Sequence, residues 1–432
     1  MNQRYTAISS SLFVNNRKKF ADLMRPNSIA IFHSNDEMPR NGDCNFPFRQ
    51  NSDFFYLTGI DQEQSILILF PHAKDKKYQE ILLVRESDDH TVVWEGPKYS
   101  KEEANQVSGI KTVLWNKSYV DVLNKLMEQC SMVYVNANEN DRAKNEVISR
   151  DERLAQMLKK EYDGKKYERS APLLTKLRET KSATEIKLIS EACSITELAF
   201  RRVLEFIKPG VWEYEIEAEI THEFVRNRAN AHAYSPIVAS GKNACILHYV
   251  NNNQKCKTRD LVLMDFGAEY ANYASDLTRT VPVNGKFTKR QKQVYNSVLR
   301  IMKDATQLMV VGNTFSEYNR EVRGLIEREL LHLKLLSKHD IQKQDPANPV
   351  FRKYFMHGIS HFMGLDVHDV GDKKKPFQNG MILTCEPGIY IPAENIGIRI
   401  ENDILLSSKG PIDLMKSIPV EADEIEELMM KK

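Results

Sequence analysis

The stretch LVLMDFGAEYANYASDLTRT, residues 261 to 280, decides the fold of the C-terminal half of the chain. Asp265 ends an apolar run of strand character, and Asp276 lies at the same distance on the other side of Tyr270 and Ala271. A hairpin with its turn at those two residues would place both carboxylates opposite each other on neighbouring strands. The spacing therefore predicts a hairpin that holds two acidic side chains close together.

A second pair of acids has the same arrangement, with Glu386 in MILTCEPG and Glu401 in IGIRIENDILL. Their midpoint falls within PAEN, 392 to 395, which has the composition of a turn. A carboxylate between strand-forming residues loses solvation unless a positive group compensates. For any one of these acids, a capping interaction at a strand end, a nearby arginine or a proton shared with another acid would compensate for the lost solvation. Four such acids in one domain instead favour a site for cations.

Two divalent ions would cancel the charge of four carboxylates. Two-metal hydrolase sites hold their ions about 3.5 to 4 Å apart and ionise a shared water molecule. Carboxylate oxygens with one imidazole suit manganese first, with cobalt, iron or zinc as alternatives. The chain has 11 histidines, and three lie in HGISHFMGLDVHD, 357 to 369. A single histidine in an apolar setting is more often a core residue, and the spacing does not rank His357, His361 and His368 as ligands.

The composition excludes several classes of protein. The chain has 432 residues, is 41% hydrophobic and carries a net charge of +2 with no long run of one sign, so no nucleic-acid surface is indicated. No segment approaches the roughly 18 apolar residues that span a bilayer. Six cysteines without CxxC spacing indicate reduced thiols. These features predict a cytoplasmic protein that acts on a small or peptidic substrate, with no nucleic-acid or membrane partner.

The apolar runs divide the chain into two α/β parts, the second of α+β character. In the first part, 1 to 172, helical stretches separate five predicted strands at 28 to 32, 65 to 70, 80 to 84, 91 to 94 and 132 to 135. In the second part, 173 to 432, the sequence pattern predicts two helices followed by strands, and this order occurs twice. Capping boxes begin the first helix at Ser182 with Glu185 and the third at Thr288 with Gln291.

Four motifs, DFGAEYANYASDLTRT, HGISHFMGLDVHD, TCEPGIY and IRIEND, closely resemble in this order those of the pita-bread metallopeptidases. Within that family they are most similar to the Xaa-Pro aminopeptidases, also called aminopeptidase P. The stretch FPFRQNSDFFYLTG, 46 to 59, resembles the N-terminal domain of the same proteins. The resemblance implies a creatinase/aminopeptidase P-like α/β domain over 1 to 172, which serves oligomerisation and active-site access. A pita-bread catalytic domain would follow over 173 to 432.

The resemblance also assigns roles to residues. It implies two bound divalent ions, with Asp276 and Glu401 as bridging ligands. The full set of ligands would be Asp265, Asp276, His361, Glu386 and Glu401. His248 and His368 would contact the scissile carbonyl, and Glu386 would also relay a proton. Substrate contacts would come from Tyr234, His357, Tyr390 and Arg399. Taken alone, Tyr234 and Tyr390 are ordinary core aromatics, and Arg399 is an ordinary ion-pair partner for Glu401.

The implied function is a dinuclear aminopeptidase that cleaves the bond between an N-terminal residue and a following proline by means of a metal-bridging hydroxide. The closest alternative is an Xaa-Pro dipeptidase, or prolidase, which shares the fold and the ligands. A pita-bread peptide-binding module without catalysis is a third reading, although such relatives generally lack ligands. The resemblance further implies a homodimer or homotetramer, in which Trp94 is a candidate to reach the cleft of a neighbouring subunit.

Overall fold

The computed structural model describes residues 4–140, 142–143 and 146–431. The chain divides into two compact units, Met1–Arg178 and Glu179–Lys432. Both units contain helices and strands, and the predicted fold class is confirmed. Among the helices of the described chain, none combines the length and the apolar character that crossing a bilayer requires.

The described part of the first unit contains a six-stranded mixed sheet and a separate two-stranded sheet, formed by Pro39–Asn41 and Cys44–Asn45. Its strands are β1 (Ser28–His33), β2 (Pro39–Asn41), β3 (Cys44–Asn45), β4 (Ile66–Leu69), β5 (Glu80–Val84), β6 (Thr112–Trp115), β7 (Met132–Val135) and β8 (Lys166–Arg169). Its helices are α1 (Ser10–Leu23), α2 (Ser52–Thr58), α3 (Asp89–Glu95), α4 (Lys101–Ser108), α5 (Tyr119–Met127), α6 (Arg150–Glu161) and α7 (Ala171–Arg178). The sheet order β6-β5-β4-β1-β7-β8 places the fully buried β1 inside the sheet, antiparallel to β4 and parallel to β7. The predicted boundary at 172 lies within α7.

The prediction of a strand at 91 to 94 is wrong, because these residues form α3. The Asp88 side chain accepts a hydrogen bond of 2.7 Å from the Thr91 backbone N–H and so caps the start of this helix. Val93 and Trp94 are 80% and 75% exposed, so this apolar run joins no core. A run of four apolar residues does not by itself distinguish a strand from a helix.

The second unit alternates helices with antiparallel strands. Its helices are α8 (Ala183–Phe206), α9 (Glu213–Arg226), α10 (Lys289–Gln307), α11 (Phe315–His332), α12 (Lys338–Gln342) and α13 (Ala422–Met430). Its strands are β9 (Ala231–His232), β10 (Ile237–Ser240), β11 (Leu261–Phe266), β12 (Ala268–Tyr270), β13 (Tyr273–Ala274), β14 (Leu277–Pro282), β15 (Ile382–Cys385), β16 (Gly388–Ile391), β17 (Ile396–Arg399), β18 (Asn402–Ser407) and β19 (Gly410–Asp413). Both predicted capping boxes, before α8 and before α10, are confirmed. The predicted order of two helices and then strands occurs twice, but the short α12 lies between α11 and the second set of strands, and α13 follows that set.

The first predicted hairpin forms, but in a different register. Asp265 on β11 pairs with Thr278 on β14 rather than with Asp276. The turn lies one residue later than predicted, at Ala271 and Asn272, which both have positive φ angles of 51° and 64°. Two consecutive residues of this kind make the tight turn that suits a hairpin. The later turn shifts the pairing by two residues, so Asp265 and Asp276 become diagonal neighbours.

The second hairpin has the predicted register. Gly388 on β16 pairs with Arg399 on β17, and Cys385 on β15 pairs with Asn402 on β18. Glu386 and Glu401 lie between these two ladders, at the point where the same pairing brings them opposite each other. Asn395, in a left-handed conformation, closes the turn after a 3₁₀ segment at Pro392–Glu394. The two hairpins meet where the Glu401 backbone N–H donates to the Thr278 carbonyl at 3.1 Å.

Candidate metal centre

Three buried side chains converge where the two hairpins meet. Ligand atoms of Asp276, His361 and Glu401 all lie within 4.8 Å of one another. Asp276 directly precedes β14, Glu401 lies between β17 and β18, and His361 comes from the segment that pairs with β15 through Phe362 and Leu383. Three separate parts of the chain therefore bring their donor atoms to a single point.

The backbone around His361 fixes both the position and the tautomer of its ring. The His361 N–H donates to the Thr384 hydroxyl at 3.1 Å, and the Thr384 N–H donates to the His361 carbonyl at 3.0 Å. The ring Nδ1 lies 3.0 Å from the Phe362 carbonyl oxygen, which can only accept, so Nδ1 carries the hydrogen. In the neutral ring, the Nε2 lone pair is then available to a cation. A second hydrogen bond of this type is common for histidines that bind metals.

Asp265 joins the cluster through two shared neighbours. The Tyr234 hydroxyl lies 2.6 Å from Oδ1 of Asp265 and 2.6 Å from Oδ1 of Asp276. The other oxygen of Asp265 accepts a hydrogen bond of 2.5 Å from the Arg399 guanidinium. The changed register therefore still brings both aspartates to the site, because diagonal neighbours lie on the same face of a hairpin.

Glu386 and Glu401 approach the same point from the second hairpin. Oε1 of Glu386 lies 3.7 Å from Nε2 of His361, which is itself 3.4 Å from Oδ2 of Asp276. Oε2 of Glu401 accepts a hydrogen bond of 2.7 Å from the Thr278 hydroxyl. Asp276, Glu386 and Glu401 thus lie around the His361 imidazole, and Asp265 is linked to Asp276 through the Tyr234 hydroxyl.

Burial and, to a smaller extent, neighbouring charges shift the pKa values of these groups. Burial raises the pKa of Asp276 to about 6, although the hydrogen bond with His361 opposes this shift. Burial and the charge of Asp276 hold the pKa of Glu401 well above its usual range. Burial would lower the pKa of His361, but its hydrogen bond to Asp276 and the charge of Glu386 raise it. The protein alone does not stabilise all four carboxylates in their charged form.

Glu386 has the opposite tendency. Burial raises its pKa, but the hydrogen bond with His357 and the charges of His361 and His357 outweigh burial and bring it below the usual range. Nδ1 of His357 lies 3.4 Å from Oε2 of Glu386. The histidines beside Glu386 therefore favour its ionised form.

A chain of polar contacts extends from the cluster along the second hairpin. Arg399 donates to the Tyr390 hydroxyl at 2.8 Å, and this hydroxyl lies 2.9 Å from Nε2 of His357. The His368 ring is close as well, with its centroid 4.4 Å from that of His361. These four predicted residues therefore lie around the carboxylates and His361.

His248 is the predicted residue that the structure does not bring into this network. It is exposed, in a turn that follows a 3₁₀ segment at Gly241–Cys245. Within the described part of the chain, no hydrogen bond, ion pair or ring contact links His248 to the cluster. Its position depends on the loop that carries it, and its role remains a prediction.

Two polar residues at the site were not singled out from the sequence. The hydroxyl of Thr278 contacts Glu401 and also accepts a hydrogen bond of 3.1 Å from Arg399. Asp403 is fully buried and accepts a hydrogen bond of 3.0 Å from the Asp276 backbone N–H. Burial and the charge of Asp276 raise the pKa of Asp403 well above its usual range. The available signal was position, since Asp403 follows Glu401 by two residues within a run of strand-forming residues.

The donor set suits a divalent cation. It offers carboxylate oxygens and one imidazole nitrogen with a fixed tautomer, the combination that suits manganese and its neighbours in the first transition series. The raised pKa values of Asp276 and Glu401 show that their charged forms need a positive partner. Cations placed among these oxygens would meet that requirement.

Comparisons with known proteins identify the families to which each part of the chain is similar. The sequence pattern of metallopeptidase family M24 matches residues 187–408, and that of the aminopeptidase P N-terminal domain matches residues 13–134. The Xaa-Pro aminopeptidase of Haemophilus influenzae is 36% identical over 96% of this chain and 96% of its own length.

Solved structures show the same likeness over the whole fold. The Pseudomonas aeruginosa aminopeptidase PepP has a TM-score of 0.89 and 32% identity, covering 98% of this chain and 99% of its own. The zinc-substituted Escherichia coli aminopeptidase P in complex with product has a TM-score of 0.87 and 33% identity, covering 99% of each chain.

Proposed function

Because the chain belongs to metallopeptidase family M24 and carries the N-terminal domain of aminopeptidase P, it is a metal-dependent Xaa-Pro aminopeptidase, and we propose that the cluster around His361 is its two-metal centre. The observation that carries this proposal is the convergence of Asp276, His361 and Glu401, with Asp265 and Glu386 beside them. Asp276 and Glu401 are the proposed bridging ligands. Manganese is the proposed metal, with cobalt, iron or zinc as alternatives.

The charges around the site agree with two divalent ions. Arg399 neutralises one of the four carboxylates through its contact with Asp265. Two divalent ions then exceed the remaining carboxylate charge by one, which a single ionised water molecule would balance. When bound, the ions would supply this nucleophile by lowering the pKa of water and would polarise the scissile carbonyl.

The chain's own residues would handle the proton and the developing negative charge. Glu386 is held ionised, so its carboxylate can accept the proton of the attacking water and return it to the proline nitrogen as the peptide bond breaks. His368, beside His361, and His248 would donate hydrogen bonds to the carbonyl oxygen as its charge grows. The free amino terminus of the substrate would be held near the carboxylates and Tyr234.

His357 would form one wall of the proline pocket. Nε2 of His357 lies 2.9 Å from the Tyr390 hydroxyl, and Nδ1 lies 2.7 Å from the Gly358 carbonyl oxygen. With both nitrogens engaged, His357 offers the substrate its ring face, and the Phe355 ring lies 4.5 Å away between centroids. Proline has a compact apolar ring and no backbone N–H, so a pocket of apolar ring faces can select it.

A cleavage assay on metal-stripped enzyme tests the proposal. Manganese, cobalt and zinc are added separately, and the substrates are an Ala-Pro dipeptide, an Xaa-Pro-Xaa tripeptide and the same tripeptide with alanine in place of proline. We expect metal-dependent release of the first residue from the Xaa-Pro-Xaa tripeptide. Cleavage confined to Ala-Pro would identify a dipeptidase instead. A protein that neither binds nor responds to any of the metals would be a binding module.

The proposed assembly is a homodimer or homotetramer in which Trp94 reaches the active site of a neighbouring subunit. The exposure of Trp94 and Val93 on α3 supports an unsatisfied contact surface there. We expect Trp94→Ala to lower kcat/KM by about 5- to 150-fold, because the substrate would lose an apolar contact worth about 1 to 3 kcal/mol. Sedimentation would measure the assembly size.

A mixing experiment separates a contribution between subunits from one within a subunit. Trp94→Ala subunits keep the metal ligands, whereas Glu401→Gln subunits keep Trp94 but lose a ligand. Unfolded together and refolded as mixed oligomers, the two should show more activity than the average of the two separate variants, because Glu401→Gln subunits would supply Trp94 to intact metal sites. Activity equal to the average of the two separate variants would contradict a role for Trp94 across subunits.

A further inference from the structure

The loop that carries His248, residues 241–254, closes onto one carboxylate. Glu213 is the first residue of α9 and is fully buried. Its Oε1 accepts hydrogen bonds from the backbone N–H and the hydroxyl of Ser240, both at 2.7 Å. Its Oε2 accepts from the Tyr249 hydroxyl at 2.7 Å and the Gln254 backbone N–H at 2.8 Å. One oxygen thus holds the start of the His248 loop, and the other holds its end.

The donors to Glu213 are neutral groups. They are two backbone N–H groups, the Ser240 and Tyr249 hydroxyls, and the Asn243 side-chain amide at 3.4 Å. A buried carboxylate is costly unless hydrogen bonds replace its solvation, and such bonds are stronger than those between neutral groups. The buried Glu213 carboxylate therefore depends on hydrogen bonds from the two loop ends. The same hydrogen bonds hold the loop ends in place.

A second carboxylate on α9 supports the same arrangement. Oε2 of Glu217, one helical turn after Glu213, accepts a hydrogen bond of 2.8 Å from the Asn252 side chain. Asn252 is buried, has a positive φ angle of 45°, and accepts a hydrogen bond of 2.9 Å from the Val238 backbone N–H on β10. The end of the His248 loop is therefore tied to both α9 and β10.

The opposite side of the loop lies against the hairpin that carries Tyr390 and Arg399. A Cβ atom added to Gly397 on β17 would lie 2.1 Å from the Ala244 carbonyl oxygen, so glycine permits this close approach. Tyr249 belongs to the same apolar cluster as Tyr390 and Ala244. The His248 loop is held between the buried carboxylate of Glu213 and the wall of the candidate active site.

We propose that Glu213 is a positioning residue for catalysis: it fixes the His248 loop so that the exposed imidazole meets the scissile carbonyl. Glu213 acts through His248 and does not itself contact the substrate. The inference rests on the role proposed above for His248. It adds a requirement that the metal centre alone does not contain, namely a fixed carboxylate that organises the carbonyl-binding side of the site.

Glu213→Gln is the most informative change. Glutamine keeps the shape but presents an NH₂ group to one end of the loop, where a backbone N–H or a hydroxyl now donates. One loop end is thereby released, and a misplacement of about 1 Å can cost about 100-fold in rate. We expect kcat and kcat/KM for an Xaa-Pro-Xaa peptide to fall together by about 100-fold, with the metal content unchanged.

A double-variant experiment separates positioning from general damage. If Glu213 acts through His248, Glu213→Gln adds little to the loss already caused by His248→Ala, because the two residues act as a unit. Losses that multiply would overturn the inference, as would full activity of Glu213→Gln alone. If His248→Ala is itself fully active, the role proposed for His248 fails instead, and the two failures are therefore distinguishable.

Two further variants complete the test. Glu215→Gln is the matched control, because its carboxylate accepts from the Trp212 backbone N–H at 2.7 Å, outside the loop, and glutamine serves equally well in a capping box. It should retain normal activity. Should Glu213→Gln not fold, Tyr249→Phe removes a single donor and keeps the ring. Its several-fold lower kcat should disappear in the His248→Ala background, and a loss that persists there would contradict the inference.

Discussion

Glu401→Gln is expected to lower kcat/KM for an Xaa-Pro-Xaa peptide by at least about 100-fold. Changes to groups that only support metal ligands cost about 10- to 100-fold, and Glu401 is itself a proposed bridging ligand. Glutamine keeps the hydrogen bond from the Thr278 hydroxyl, 2.7 Å in the native protein, so the fold should persist. What it removes is one negative charge and one donor oxygen beside Asp276 and His361.

The control lies in the same hairpin. Glu394, in the turn between β16 and β17, pairs with Arg290 at 2.7 Å, away from the cluster. Glu394→Gln should cost little activity, since ion pairs at partly exposed positions contribute about 0 to 1 kcal/mol. If Glu401→Gln kept more than a tenth of the native kcat/KM while holding its metal, Glu401 would not be a bridging ligand.

Glu386→Gln is expected to lower kcat by about 10²- to 10⁴-fold, the range associated with loss of general acid–base catalysis. The protein holds Glu386 ionised through His357 and His361, and glutamine cannot accept a proton at neutral pH. The assay is run at saturating manganese, so that weaker metal binding alone does not account for the loss. A further arm measures how much manganese this variant binds.

Two results would contradict the proton-relay role. One is a kcat within about threefold of the native value at saturating manganese. The other is a loss that a tenfold rise in manganese fully restores, since that would make Glu386 a ligand and nothing more. His357→Phe is a useful companion, because it removes the contact of 3.4 Å with Glu386 and should weaken the same step less severely.

The pairing of the second hairpin could be predicted residue by residue because the position of its turn is evident from the sequence. Glu386 and Glu401 are symmetric about a stretch with turn composition, and the structure pairs the strands in that register. The pairing of the first hairpin could not be predicted in this way, because alanine rarely adopts the left-handed conformation that Ala271 has in the structure. Asp265 and Asp276 nevertheless meet, since a shift of two residues keeps both side chains on the same face.

Other features depend on contacts distant in sequence. The run at 91 to 94 has the composition of a strand, but the Asp88 side chain caps a helix there, and this helix ends at Gly96. The importance of Thr278, Asp403 and Glu213 arises from what each one touches across the fold. The local sequence around these three residues does not indicate a role at the site, whereas the motifs around His361 and Glu401 do.

The most direct test of the account is a metal count on the native protein and on Glu401→Gln, each stripped with a chelator, loaded with manganese and passed through a desalting column. The account predicts two manganese ions per native chain and fewer than two per Glu401→Gln chain. Full peptidase activity with no bound metal, or the same two ions retained in both proteins, would contradict a bridged pair of ions at Asp276, His361 and Glu401.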